Sequence, residues 1–167
     1  VVMLAQEGGK LSPKVVEFNA RYSDPVAEVL VPGIKTDYVD VAMACVEGKL
    51  DVLDIREDDK TRISVSACVR GYPGDIKQVR GKIIFGIKEV LDSSDVTVYG
   101  SGVELSNENF YVNGGRLFHV TASGKDILEA RTKEYEAISR ITVEGNNLHY
   151  RNDVAWKDVE TTQMQNI

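Results

Sequence analysis

At 167 residues the chain is long enough to bury one real core, and with 43% hydrophobic and 28% charged residues it has the composition of a soluble domain, or of one domain plus a fragment. Its formal net charge of −6 argues against non-specific binding to nucleic acid or to an anionic membrane, which needs a basic face, and leaves room for a small local basic pocket for a phosphate. No apolar run approaches the length needed to span a bilayer.

Val1 to Gln6 is apolar and reads as a buried strand. It has no basic leader and no small-residue cleavage site, so it reads as a poor signal peptide. The chain lacks an initiator methionine at position 1, and its start is expected to be a cut end. Gly8-Gly9-Lys10 signals a turn, pairing residues 1–6 with a strand over 14–20. Thr36 or Asp37 can cap a helix over 37–48, with Tyr38, Val41, Ala42, Cys45 and Val46 at helical spacing and Gly48 as the stop. Residues 51–60 are acidic and read as a solvated connection, including Arg56 to Lys60.

Arg62 to Val69 alternates polar and apolar residues, which predicts a strand with one wet face. Gly71-Tyr72-Pro73-Gly74-Asp75 is a turn, and short strands are expected near 83–85, 96–99, 109–112 and 116–122. Asn113-Gly114-Gly115 between the last two predicts a hairpin. A helix over 125–141 follows, opened by Ser123 or Asp126, with Ile127, Leu128, Arg131, Tyr135, Ile138 and Ile141 as its buried stripe. Trp156 is expected to anchor a polar, frayed tail. This order of elements predicts an α+β fold with a mostly antiparallel sheet.

Cys45 and Cys68 stand alone in apolar stretches and read as buried, reduced thiols of a cytoplasmic protein. His119 and His149 read as satisfied structural groups. The chemistry-bearing stretch is Glu17-Phe18-Asn19-Ala20-Arg21. On a strand, Glu17, Asn19 and Arg21 share one face while Phe18 turns into the core. A carboxylate and an amide oxygen suit a hard cation such as Mg²⁺, and a guanidinium suits a phosphate. The same pattern also fits a plain solvated strand face.

Val16-Glu17-Phe18-Asn19-Ala20-Arg21-Tyr22-Ser23-Asp24-Pro25 resembles a motif of the phosphoribosylamine–glycine ligase family, within the ATP-grasp superfamily. The likeness continues collinearly through Lys35-Thr36-Asp37, Ala44 to Asp51, Gly71 to Asp75, Asn113 to Arg116, Val120-Thr121-Ala122 and His149 to Trp156. It implies that residues 1–60 are the last strands of an ATP-grasp domain with a connecting helix, that 61–157 form a C-terminal, mostly antiparallel sheet domain with packed helices, and that 158–167 are a tail. It further implies Glu17 and Asn19 as ligands of Mg²⁺ or Mn²⁺, Arg21 as the charge-offsetting catalytic side chain, and Asp24, Pro25, Gly71, Tyr72, Pro73 and Gly74 as substrate-binding. Gly71 to Gly74 also read, from the residues alone, as a simple tight turn.

The implied reaction uses ATP to activate the carboxylate of glycine as an acyl phosphate, which the amine of 5-phosphoribosylamine attacks. The implied setting is purine biosynthesis in the cytoplasm, without nucleic acid or membrane. Tyr22-Ser23, Val26 and Arg70 depart from the family pattern. The groups that grip adenine and triphosphate lie outside this stretch of the family, so the chain alone is expected to be inactive. A second reading is a non-catalytic module that associates with itself or with a separate chain through exposed sheet edges.

Overall fold

The computed structural model of the chain describes residues 1–165. Its core lies within residues 63–148, and among residues 1–62 only Gly33 is buried. The fold is α+β, and every strand pair in it is antiparallel.

The chain opens with the hairpin β1 (Val2–Glu7) and β2 (Lys10–Val15), closed by Gly8-Gly9 at positive φ. Two expectations change here. The second strand precedes its predicted place, because Pro13 lies inside it opposite Leu4, which a two-stranded ribbon tolerates since both strands are edges. The strand also ends at Val15, where its partner runs out at Val1 and Glu17 O takes the Val1 amino group at 2.7 Å. Residues 16–20 therefore have no strand structure. Nor is β1 buried, and Phe18 is 91% exposed rather than packed.

A short helix α1 (Val26–Leu30) and α2 (Tyr38–Glu47) follow. The ends of α2 lie where local chemistry puts them. Asp37 caps the Val39 N–H at 2.8 Å, and Gly48 closes the helix at φ +66°. Its apolar face, however, buries no residue: Val39, Met43 and Val46 are exposed, and so is Cys45, against the expectation of a buried thiol.

β3 (Thr61–Val69) is the centre of the core. Its odd-numbered residues from Ile63 to Val69 are buried while Arg62, Ser64, Ser66 and Cys68 face the other side, which is the predicted alternation. After β4 (Ile83–Phe85), α3 (Ile87–Leu91), β5 (Val96–Gly100), β6 (Val103–Ser106), β7 (Asn109–Val112), β8 (Arg116–Gly124), α4 (Ile127–Ser139), β9 (Thr142–Val143) and β10 (Leu148–Tyr150), the chain ends in α5 (Trp156–Gln165). One sheet has the order β10-β3-β8-β5 and the other β6-β7-β4-β9. Their apolar faces join in a single cluster with Ala130, Ala137 and Ile138 of α4.

Asn113-Gly114-Gly115 does not make the expected hairpin. β7 pairs with β4 and β6, and β8 pairs with β3 and β5, so this segment crosses from one sheet to the other. Its glycines serve close approach: a Cβ on Gly114 would stand 2.9 Å from the Gly102 Cα, and one on Gly115 would stand 2.3 Å from the Tyr72 ring. The true hairpin joins β6 to β7 through Asn107-Glu108, both at positive φ.

α4 is capped by Asp126, which accepts from Glu129 N at 2.8 Å. Its buried face is Ala130, Glu134, Ala137 and Ile138; of the predicted stripe Ile138 and the following Ile141 are buried and Ile127 and Tyr135 pack on the core, whereas Leu128 is half exposed, so the helix is turned slightly from it. The terminal segment is helical to Gln165 where fraying is expected, and residues 166–167 lie outside the described ones. Trp156 is 42% exposed. The approach to that helix is held instead by Arg131, bonded to the Asn152 and Val154 carbonyls, and by the Tyr135 hydroxyl, bonded to Arg151 O and Val154 N.

Candidate functional site

β3 and β8 leave one sheet face polar. On it stand Ser64, Ser66, His119 and Thr121, set opposite one another by the register Ser64↔Thr121 and Ser66↔His119. The segment before and through α1 lies over this face, and beside it opens a cleft of about 900 Å³ lined by that segment and, from the sheet, by Arg116. Its walls include Glu17, Asn19, Arg21, Asp24, Glu28 and Arg116.

Glu17 and Asn19 keep the company expected of them without a strand to hold them. The Asn19 amide donates to Glu17 Oε1 at 2.9 Å, so both side chains reach the same part of the cleft, and both are exposed. A carboxylate and an amide oxygen at a solvent-filled cleft are hard donors, and few of them, which matches a cation that completes its shell with water and phosphate oxygens. Arg21 also lines the cleft, and its Nη1 donates to Tyr22 O at 3.0 Å.

Asp24 sits deeper. One carboxylate oxygen accepts from Arg116 Nη1 at 2.5 Å, and the other meets His119 Nε2 at 2.8 Å. His119 is only 4% exposed, and its Nδ1 lies 2.8 Å from Ser66 Oγ. Glu28 brings a second carboxylate to the same place: ligand-type atoms of Asp24, Glu28 and His119 lie within 4.8 Å of one another, and one buried Glu28 oxygen has no hydrogen-bond partner. Arg116, His119 and Glu28 were not singled out as site residues by the sequence. Asn113-Gly114-Gly115-Arg116 carries a signal for Arg116, but only the placing of the segment before α1 against β8 shows that it meets Asp24.

Pro25 follows Asp24 through a cis peptide and precedes α1. Gly71, Tyr72, Pro73 and Gly74 form the turn after β3, with Gly74 N bonded to Gly71 O at 2.9 Å, and they do not line this cleft. Tyr72 packs on Gly115, the neighbour of Arg116. The expected solvated run at 56–60 holds one structural group, Asp58. The Arg62 guanidinium bonds it directly and holds its carboxyl down to about 2, well below the usual range, and Arg62 also reaches Pro32 O at 3.3 Å. Cys68 is half-buried, and burial pushes its thiol pKa up, the opposite of an activated nucleophile. His149 lies exposed on β10, in a separate open cleft with Arg70, Glu144 and Asn152.

Fold and cleft together describe an α+β module whose wall can hold a hard cation and an anionic group side by side. Residues 62–157 match the family model for the C domain of phosphoribosylglycinamide synthetase, and the chain belongs to that family. It is 38% identical to a phosphoribosylamine–glycine ligase of Caldanaerobacter subterraneus, over 92% of this chain and 34% of the relative. It is 32% identical to a ligase of the same name from Escherichia coli, over 97% of this chain and 36% of the relative. A crystal structure of phosphoribosylamine–glycine ligase from Thermotoga maritima superposes with a TM-score of 0.64 at 28% identity, covering 90% of this chain and 35% of that one. The chain thus spans about a third of the length of these relatives. Among the described residues no helix is long and apolar enough to cross a membrane.

Proposed function

We propose that this chain forms the metal-side wall and closing domain of an ATP-dependent ligase that joins glycine to 5-phosphoribosylamine in purine biosynthesis, in the cytoplasm. The observation that carries the reading is the pairing of Glu17 with Asn19 at 2.9 Å on a cleft shared with Arg21, Asp24 and Arg116. In this reading residues 1–60 end the ATP-grasp portion and 61–157 form the C-terminal domain. The collinear motifs and the family match over 62–157 support it.

Glu17 and Asn19 would hold Mg²⁺ or Mn²⁺, which when bound supplies charge neutralisation for the phosphates of ATP. Arg21 presents its guanidinium to the same cleft, where it can bind phosphoryl oxygens bidentately and offset charge as it develops. Asp24, fixed by two donors, orients a substrate group at the base of the cleft. Gly71 to Gly74 act, in this reading, on a neighbouring stretch of substrate surface through Tyr72, which packs on Gly115 beside Arg116. Glu17→Ala in the complete ligase is expected to lower ATP- and metal-dependent glycinamide ribonucleotide formation by about 100-fold or more. Unchanged turnover across a metal titration would refute the ligand role.

A second reading, a non-catalytic association module, has one observation in its favour. Val2, Met3, Leu4, Leu11, Val15 and Phe18 are exposed together on or beside a two-stranded ribbon. Apolar strand edges of this kind favour a protein partner or a second copy.

A further inference from the structure

We propose that His119 is a positioning residue that locks Asp24, and through it the whole cleft-forming segment 17–30, onto the sheet of the C-terminal part. The inference rests on the reading of this cleft as the ligase's working wall.

Residues 17–30 contain no buried residue. Among the described residues, every hydrogen bond and ion pair that runs from this segment to residues 62–157 is made by Asp24. Besides the packing of α1 on β3 and β8, the place of Glu17, Asn19 and Arg21 relative to Arg116 therefore depends on how firmly one carboxylate is held. Two donors three residues apart on β8 hold it: Arg116 takes one oxygen and His119 the other.

The two donors differ in kind. Arg116 has a side chain 48% exposed on a long flexible stem, and it lines the cleft. His119 is buried on a central strand and takes no part in lining the cleft. Both of its ring nitrogens are occupied. A carboxylate can only accept, so Nε2 carries the proton toward Asp24. In the neutral ring Nδ1 then accepts from the Ser66 hydroxyl. Ser66 faces His119 across the β3–β8 register, so its position is set by the most buried strand pair of the molecule. The chain of contacts Ser66–His119–Asp24 thus transmits the rigidity of the core to a segment that has no core of its own. His119 has no free nitrogen and no opening to the cleft, so it acts through Asp24 and not on a substrate.

The test has two arms. In the first, amide hydrogen exchange is followed on this chain. His119→Leu is expected to raise exchange over residues 26–31, the hydrogen-bonded amides of α1, by about tenfold or more while β3 and β8 stay protected. His119→Gln, whose amide can still donate to Asp24, is expected to restore protection, and His119→Asn, too short to reach, is not. Equal exchange over 26–31 in wild type and His119→Leu overturns the proposal, as does equal behaviour of the Gln and Asn variants. The last comparison decides the matter even if His119→Leu does not fold. In the second arm, in the complete ligase, His119→Leu is expected to lower kcat/KM about tenfold in the wild-type background and less than about twofold in an Asp24→Ala background. Multiplicative losses overturn action through Asp24. The first arm needs no ligase activity, so failure of the functional reading leaves its result standing.

Discussion

The residue with the least ordinary environment is Glu134. It lies on the face of α4 turned to β3 and β8, is fully buried, and neither carboxylate oxygen has a hydrogen-bond partner. Desolvation pushes its pKa up to about 8, against a smaller opposing pull from Arg131. The folded chain thus binds this proton more tightly than the unfolded chain does. Its stability is fully present below the ordinary glutamate range near pH 4–5 and falls as pH rises toward 8. Urea unfolding from pH 5 to 9 should show this decline, on the order of 3–5 kcal/mol in total. Glu134→Met, similar in volume and uncharged, should remove most of that slope. A variant with the wild-type pH slope would show that the carboxyl finds water or a partner. Periodicity could not foresee this: it placed Leu128 inside and left Glu134 unremarked, because apolar count rather than the sheet's position set the expected stripe.

At the scale of elements, local chemistry and tertiary packing separate cleanly. The ends of α2 follow from Asp37 and Gly48, yet α2 buries no side chain. Asp37→Ala should therefore cost about 1 kcal/mol of helix stability and show as faster amide exchange within residues 38–42, with global unfolding unchanged. α4 is the opposite case, because Gly124 lets it sit against β8: an added Cβ would stand 2.5 Å from Ala130 N. Gly124→Ala should destabilise the whole core by about 1–3 kcal/mol, read as a lower Tm. The Asn113 to Gly115 crossing belongs here too. A glycine-rich turn between two strands is the same string whether the strands pair or part, and only the competing partners β3, β4, β5 and β6 decide.

At the scale of the whole molecule, the core stops at residue 63 and the preceding residues carry exposed Val, Leu, Met and Phe side chains that a stable surface would not choose. Under the second reading, light scattering after size exclusion should show mass rising with concentration, and Leu4→Lys should suppress it; a strictly monomeric wild type would count against association. Under the first, calorimetry with ATP and Mg²⁺ should register no binding by this chain alone, because its open cleft offers phosphate- and cation-binding groups and no enclosed base pocket. Saturable ATP binding would overturn that expectation.

The sequence by itself determined the family, the α+β class, the alternation of β3, the pair of candidates from which each cap of α2 and α4 is drawn and the grouping of Glu17 with Asn19. These depend on nearest neighbours along the chain or on collinear motifs. Only the tertiary structure decided that residues 16–20 leave the ribbon, which face of α4 is buried, that the glycines at 114 and 115 join two sheets, and that Asp24 is held by Arg116 and His119. Each of these is set by which elements pack against which. That choice is made by side chains up to about a hundred positions apart, so no local pattern carries it.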